Sequence, residues 1–181
     1  LKAVKILIKN GAKKNLITVL HCHTAYPTKL KDVNLLAMKT MQEKFKINIG
    51  YSDHTLGNET SIAAVALGAN VIEKHITLNK KMKGPDHKAS MEPKLFHNFV
   101  KSIRNTEILL GSKIKKLTIS EGKIKKFVRK SIVAKKIIKR GELFTEANTT
   151  CKRPEGGISA SNWEKVVGKK SDNFFYTKWL V

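Results

Sequence analysis

Two histidines 21 residues apart, His54 and His75, each follow a short apolar run that reads as a β-strand. Ile47-Asn48-Ile49-Gly50-Tyr51 leads into Ser52-Asp53-His54, and Ala69-Asn70-Val71-Ile72 leads into Glu73-Lys74-His75. Between them, Thr60 to Leu67 has the apolar density of a buried helix. In parallel βα architecture the C-terminal ends of the strands open on one face, where catalytic groups collect. Two imidazoles delivered to that face could share one metal ion. Either histidine taken singly reads rather as a hydrogen-bonded imidazole at a strand end. Matching positions in consecutive units, followed by the loop Gly84-Pro85-Asp86-His87-Lys88-Ala89-Ser90, favour the shared ion. A metal on histidines with a free coordination position acts as a Lewis acid toward a substrate oxygen.

Other residues could join that chemistry. Asp53 and Glu73 are near enough in sequence to be further ligands or to orient the imidazoles. Ser52 could donate a hydrogen bond to a phosphate or carboxylate, or stabilise its own turn. Asp86 follows Gly-Pro, where a loop can approach a ligand closely; binding a sugar hydroxyl, binding a metal-bound water and forming the turn are its possible roles. Tyr26, beside Pro27, is a site residue or an aromatic packed under the loop His23 to Pro27, which also carries Thr24. Arg153 is one of four arginines in a lysine-dominated chain, so a planar, multidentate role competes with a surface ion pair. His21, His23, His87 and His97 show no partner spacing and read as structural, and Cys22 reads as a small core residue.

The elements that must position these groups follow from periodicity. Residues 1–10 place apolar side chains at positions 1, 4, 6, 7 and 8, an amphipathic helix closed by Gly11. Leu16 to His21 is apolar and β-branched, as a doubly buried parallel strand should be. Val33 to Phe45 reads as a helix with Val33, Leu36, Met38 and Met41 on its apolar face. Pro93 opens a long helix ending near Gly111, with Leu95, Phe96, Phe99, Val100, Ile103, Ile108 and Leu109 expected inward. Strands alternating with helices imply a parallel sheet. Three such units cannot close a barrel, and a (β/α)8 barrel needs about 250 residues, so residues 1–111 read as the C-terminal portion of one. Residues 112–127 are Lys-rich and polar, a linker with one helical turn near Ser120-Glu121. Residues 128–181 carry short apolar runs and tight turns, a small, mostly β domain with an expected core of Ile132, Val133, Ile137, Phe144, Val167 and Trp179.

The chain has 181 residues and a formal net charge of +22. Such an excess can mark a nucleic-acid or acidic-membrane partner. Here, however, 32 of the 36 basic residues are lysine, spread along the whole length without interleaved aromatics. Base readout and bidentate phosphate gripping favour arginine, and single-strand binding needs stacking platforms. The charge therefore reads as solvated faces that also draw anionic substrates. No apolar run approaches the roughly 20 residues of a membrane span. Cys22 and Cys151 suit a reduced, cytoplasmic setting and lack the spacing of a Cys-based zinc site.

Taken in order, Leu20-His21-Cys22, Tyr26-Pro27-Thr28, Gly50-Tyr51-Ser52-Asp53-His54-Thr55, Ile72-Glu73-Lys74-His75 and Gly84-Pro85-Asp86-His87-Lys88-Ala89-Ser90 resemble the sialic acid synthase family. Arg129-Lys130-Ser131-Ile132-Val133-Ala134, Lys152-Arg153-Pro154 and Gly157-Ile158-Ser159 resemble that family's C-terminal antifreeze-like (SAF) domain. The resemblance implies an α/β enzyme, a (β/α)8 TIM barrel followed by the small domain. It implies condensation of phosphoenolpyruvate with an N-acetylated amino sugar to a nonulosonic acid plus phosphate. On the same footing His54 and His75 hold a divalent metal, manganese or magnesium. Ser52 contacts phosphoenolpyruvate, and Thr24, Tyr26 and Asp86 line the sugar site, Thr24 standing where relatives often carry Asn or Ser. Arg153, with Phe127 nearby, reads the N-acetyl group of a partner subunit's site, which implies a domain-swapped homodimer. Pro154-Glu155-Gly156 departs from the family's Pro-Gly-x-Gly loop, and His87-Lys88 is closer to neuraminate and legionaminate synthases than to pseudaminate synthases. The lysines that grip phosphoenolpyruvate lie on earlier barrel strands, so the 181-residue chain alone is expected to lack synthase activity. Two alternatives remain: another metal-dependent barrel lyase or aldolase, and a basic carbohydrate- or nucleic-acid-binding module.

The charge separates the last alternative from the rest. A nucleic-acid binder would hold its ligand tightly with a steep salt slope. We expect only weak association that vanishes near physiological ionic strength, measured by fluorescence anisotropy with duplex and single-stranded probes across a salt series. Sequence-specific binding at that ionic strength would establish the binding module instead.

Overall fold

The structure is a computed structural model and describes residues 2–178, 180 and 181. Leu1 and Trp179 lie outside the described residues. The chain divides into two compact units, residues 1–113 and 114–181.

In the first unit, helix α1 (Lys2–Lys9) ends as expected, with Gly11 at φ +93° just past its last turn. Strand β1 (Thr18–Cys22) follows, then helix α2 (Ala37–Phe45), strand β2 (Asn48–Asp53), helix α3 (Glu59–Ala66), strand β3 (Ile72–Lys74) and the long helix α4 (Pro93–Leu110). The three strands form a parallel sheet in the order β1-β2-β3. After the Gly84-Pro85-Asp86 loop the chain returns beside β3 as a single parallel bridge between Ile76 and Met91. Val4, Val33, Met38, Ile49, Tyr51 and Ala64 make one core, so Met38 is packing, as its spacing indicates.

Several expected positions move. Val33 is buried but precedes α2, because residues 30–32 form a 3₁₀ turn and the α-helix begins only at Ala37; Leu36 is exposed. On α4 only Phe99 and Ile103 are buried. They meet Val65 and Met91 along one seam against α3, and Leu95, Val100, Ile108 and Leu109 lie off that seam, exposed.

The second unit begins with α5 (Ile119–Val128), a ten-residue helix where the sequence reads as a linker with one turn. A capping box explains it: Thr118 accepts from the Glu121 backbone, and the Glu121 carboxylate accepts from the Thr118 N–H. That bonding to Thr118, chiefly to its backbone, holds the Glu121 carboxyl below its ordinary pKa. Strands β4 (Ser131–Ala134) and β5 (Thr149–Lys152) pair antiparallel, and a short helix α6 (Trp163–Val166) completes the regular elements. Their core is Ile132, Ala134, Ile138, Phe144 and Val166. Val133 and Phe144 are buried as expected, but Ile138 and Val166 take the places assigned to Ile137 and Val167. The antiparallel bridge Ile138↔Phe175 sets the inward parity, and Ile137 consequently faces water.

Gly50 has no room for a side chain. A Cβ there would strike the Leu20 side chain and stand 2.5 Å from the carbonyl oxygen of Val71, a backbone atom that cannot swing aside. Gly50→Ala should therefore force the strands apart and destabilise this unit by about 1–3 kcal/mol. Urea unfolding of variant and parent protein measures it.

Candidate active site

The register of the two strands builds the site. Ser52 is opposite Glu73 and Asp53 is opposite Lys74, so His54 and His75 stand opposite each other one step beyond the last paired residues. Side chains alternate along a strand. Residues 52 and 54 therefore share one face of β2, and 53 takes the other, against α3.

On the first face the His54 and His75 rings lie 5.3 Å apart between centroids, nearly perpendicular at 83°. Tyr26 closes the cluster, 4.2 Å from the His75 ring and 5.0 Å from that of His54. Asp86 approaches with a carboxylate oxygen 3.9 Å from His75 Nδ1. Ser52, almost fully buried, donates its hydroxyl to Glu73 Oε1 at 2.6 Å. Cys22 Sγ lies 3.9 Å from both His54 ring nitrogens, an exposed thiol at the rim rather than the core residue its sequence indicates.

The backbone of both histidines is pinned. The His54 carbonyl accepts from Thr28 N at 2.8 Å, and the His75 carbonyl accepts from Met91 N at 2.9 Å. The hydroxyls of Tyr26 and Ser90 meet at 3.2 Å, and Ser90 Oγ also donates to the Asp86 carbonyl at 2.7 Å. The Tyr26 loop, the Asp86 loop and the two strand ends thus form one closed chain of contacts. Burial raises the Tyr26 pKa above its ordinary value; the Ser90 hydrogen bond works against this, while the Asp86 and Asp53 carboxylates add to the rise. Tyr26 is accordingly a hydroxyl donor across the neutral range.

On the opposite face Asp53 is no metal ligand. Its carboxylate is fully buried and accepts from Thr55 N at 2.8 Å, Thr55 Oγ1 at 2.7 Å, Ser61 Oγ at 2.6 Å and Lys74 Nζ at 3.0 Å. Lys74 Nζ also donates to the Thr55 carbonyl. Sequence reasoning offered Asp53 as an alternative ligand and passed over Lys74 and Ser90. The signal for Lys74 was available: a lysine one residue before the histidine of β3, in register with an aspartate one residue before the histidine of β2.

The remaining candidates make no hydrogen bond, ion pair or ring contact with the histidine pair among the described residues. Thr24 is exposed in the loop before Tyr26. Phe127 and Arg153 belong to the second unit, where both are exposed and Arg153 makes no ion pair among the described residues. His21 contacts the Val33 carbonyl at 2.9 Å, His23 Nδ1 accepts from Ala25 N at 3.1 Å, and His87 meets the Thr77 hydroxyl at 2.7 Å, as structural histidines do. A cavity of 410 Å³ beside the site is walled by Leu56, Asn58, Phe99, Lys80 and Lys88, and so brings positive charge close to it.

Among the described residues no group of three or more His, Cys, Asp or Glu side chains is arranged around a metal. The donor set is two imidazoles with a carboxylate close by. That set fits an ion that fills most of its coordination sphere with water and substrate oxygens.

The family model described as NeuB family matches residues 1–115, and the SAF domain model matches residues 129–176. The chain is 54% identical over 168 residues to an N,N'-diacetyllegionaminic acid synthase of Campylobacter jejuni, covering 93% of this chain and 50% of that protein. It is 44% identical over 153 residues to human N-acetylneuraminate-9-phosphate synthase, covering 83% and 43%. It is 36% identical over 158 residues to a pseudaminic acid synthase of Helicobacter pylori, covering 87% and 46%. The chain thus spans about half the length of these relatives or less. Among solved structures, N-acetylneuraminic acid (sialic acid) synthetase from Leptospira borgpetersenii superposes with a TM-score of 0.60 at 36% identity, over 67% of this chain and 42% of that one. The spore coat polysaccharide biosynthesis protein SpsE of Bacillus subtilis superposes with 0.56 at 30%, over 99% and 55%.

Because the Tyr26 pKa is raised, its hydroxyl keeps its proton to higher pH than a free phenol. The alkaline limb of any activity below about pH 10 should therefore not come from Tyr26. Tyr26→Phe should lower the rate yet leave the position of that limb unchanged in a pH–rate profile.

Proposed function

This chain belongs to the NeuB family, with a SAF domain over residues 129–176, and on that premise we propose that it forms part of a nonulosonic acid synthase. The reaction is condensation of phosphoenolpyruvate with the open-chain form of an N-acetylated amino sugar. A bond forms between the enol carbon of phosphoenolpyruvate and the sugar aldehyde carbon. Water adds at the neighbouring carbon, and phosphate leaves with carbon–oxygen cleavage. The first unit is then the C-terminal portion of a (β/α)8 barrel, a reading supported by its three parallel strands and by the superposition on a sialic acid synthetase.

The observation that carries the proposal is the convergence of His54 and His75, 5.3 Å apart on adjacent strand ends. In this reading they hold one divalent cation, which when bound supplies Lewis acidity toward the aldehyde oxygen. Manganese fits two imidazoles better than magnesium, which prefers an all-oxygen sphere. Tyr26 donates its hydroxyl toward the sugar, and Asp86 accepts from a sugar hydroxyl beside His75. Ser52 turns from Glu73 to phosphoenolpyruvate, and Thr24 completes the loop side. Lys80 and Lys88 raise the local concentration of the anionic substrate.

In the homodimer we propose, Arg153 and Phe127 of each subunit serve the site of the other, where the guanidinium reads the amide of the N-acetyl group. The exposure of Arg153, with no ion pair among the described residues, supports that use. The 54% identity to the diacetyllegionaminic acid synthase of Campylobacter jejuni supports a diacetamido sugar as substrate. Cys22 and Cys151, both free thiols, suit a reducing compartment such as the cytoplasm, and no helix among the described residues is long and apolar enough to cross a membrane.

The test uses the intact protein that carries this chain. His54→Ala and His75→Ala should each lower manganese-dependent phosphate release more than about 100-fold, beyond what loss of an outer partner of a metal site causes, with the circular dichroism spectrum unchanged. Retention of rate and metal dependence by the double variant would exclude the assignment.

A further inference from the structure

Each histidine of the pair is preceded by a charged residue on the opposite face of its strand, and these two residues bind each other out of water. The Asp53 side chain is 0% exposed and that of Lys74 is 4% exposed. Asp53 also accepts from both the N–H and the hydroxyl of Thr55, spanning His54 from one side to the other. Lys74 closes the same span by donating to the Thr55 carbonyl. The residues before and after His54 are therefore both tied to the residue before His75. Ser61 of α3 anchors the assembly from behind.

We infer that the buried Asp53–Lys74 pair is a positioning device that holds His54 and His75 at the separation one cation requires. It rests on the reading of these histidines as metal ligands. The pair touches neither imidazole ring through any hydrogen bond among the described residues, so its action passes through the backbone. It is also neutral in sum. An unpaired Lys74 would set a positive charge behind a cation site, and an unpaired Asp53 would leave a bare carboxylate in the core. The ordinary purpose of a buried ion pair is not stability, because well-packed apolar replacements of both partners are often no less stable. That property separates the two roles experimentally.

Mn²⁺ binding to the intact protein is followed by electron paramagnetic resonance of the free ion, and unfolding by thermal melting. Lys74→Met and Asp53→Asn should each lower both the melting temperature and Mn²⁺ affinity. In the double variant the melting temperature should largely return, because no unpaired charge remains, while Mn²⁺ affinity stays about 10- to 100-fold weak. Return of affinity together with the melting temperature would overturn the proposal, as would parental affinity in either single variant. If the double variant does not fold, Lys74→Gln keeps donors without the charge, and electron spin echo modulation counts the nitrogens on bound Mn²⁺. Coupling to fewer imidazoles than in the parent supports the proposal, and an unchanged pair of imidazoles overturns it. His54→Ala and His75→Ala controls isolate the underlying reading: if they bind Mn²⁺ like the parent, the metal assignment itself falls and this proposal with it.

Discussion

The register between β2 and β3 is the constraint on which the site depends. Parallel pairing of Ser52 with Glu73 and Asp53 with Lys74 sets His54 opposite His75 one step beyond the last paired residues. Because side chains alternate, the same register sorts three consecutive positions on each strand into two chemistries. One face receives Ser52, Glu73 and the histidines, and the other receives the buried ion pair. A slip by one residue would send every member to the wrong side. Gly50 and Val71 enforce the fit one turn of the pleat earlier, where the strands approach too closely for a Cβ.

The loops then convert two neighbouring imidazoles into a shaped site. Thr28 and Met91 hold the histidine carbonyls, and the Tyr26–Ser90 contact joins the segments that carry them. The aromatic ring of Tyr26 fills one side of the space between the histidines, and Asp86 stands on another. Two imidazoles as the metal donors we propose would leave most coordination positions to water and substrate oxygens. Ser52 donates to Glu73 at 2.6 Å on the face where the imidazoles open.

Much of this was legible in the sequence, for identifiable reasons. Apolar runs ending in Ser-Asp-His and Glu-Lys-His are strand ends, and Pro93 at the first turn of α4 marks a helix start that the structure keeps. The histidine pair was found by its equivalent position in consecutive units. What escaped were features that depend on a neighbour distant in sequence. Whether Ile137 or Ile138 faces inward is decided by Phe175, and which apolar residues of α4 are covered is decided by α3. The helix α5 was hidden by its lysines, although Thr118 and Glu121 carried the capping box. Lys74 looked like one more member of a lysine-rich surface until its partner Asp53 was placed opposite it.

That contrast gives Lys74 its meaning. The chain's lysines lie overwhelmingly on solvated faces, where an ammonium keeps its hydration; burying one is unfavourable unless it is paired and hydrogen-bonded. Lys74 meets both conditions, with Asp53 and the Thr55 carbonyl as its partners. A buried ion pair contributes little net stability relative to apolar residues of the same volume, yet it discriminates sharply among arrangements of the chain. Any shift of one strand along the other would separate Lys74 from Asp53, whereas apolar side chains in the same places would have no single partner to lose. Apolar packing across β2, β3 and α3 is therefore sufficient to hold the layers together but indifferent to small displacements. A charge pair meeting at 3.0 Å is not, and it fixes the register that sets His54 beside His75.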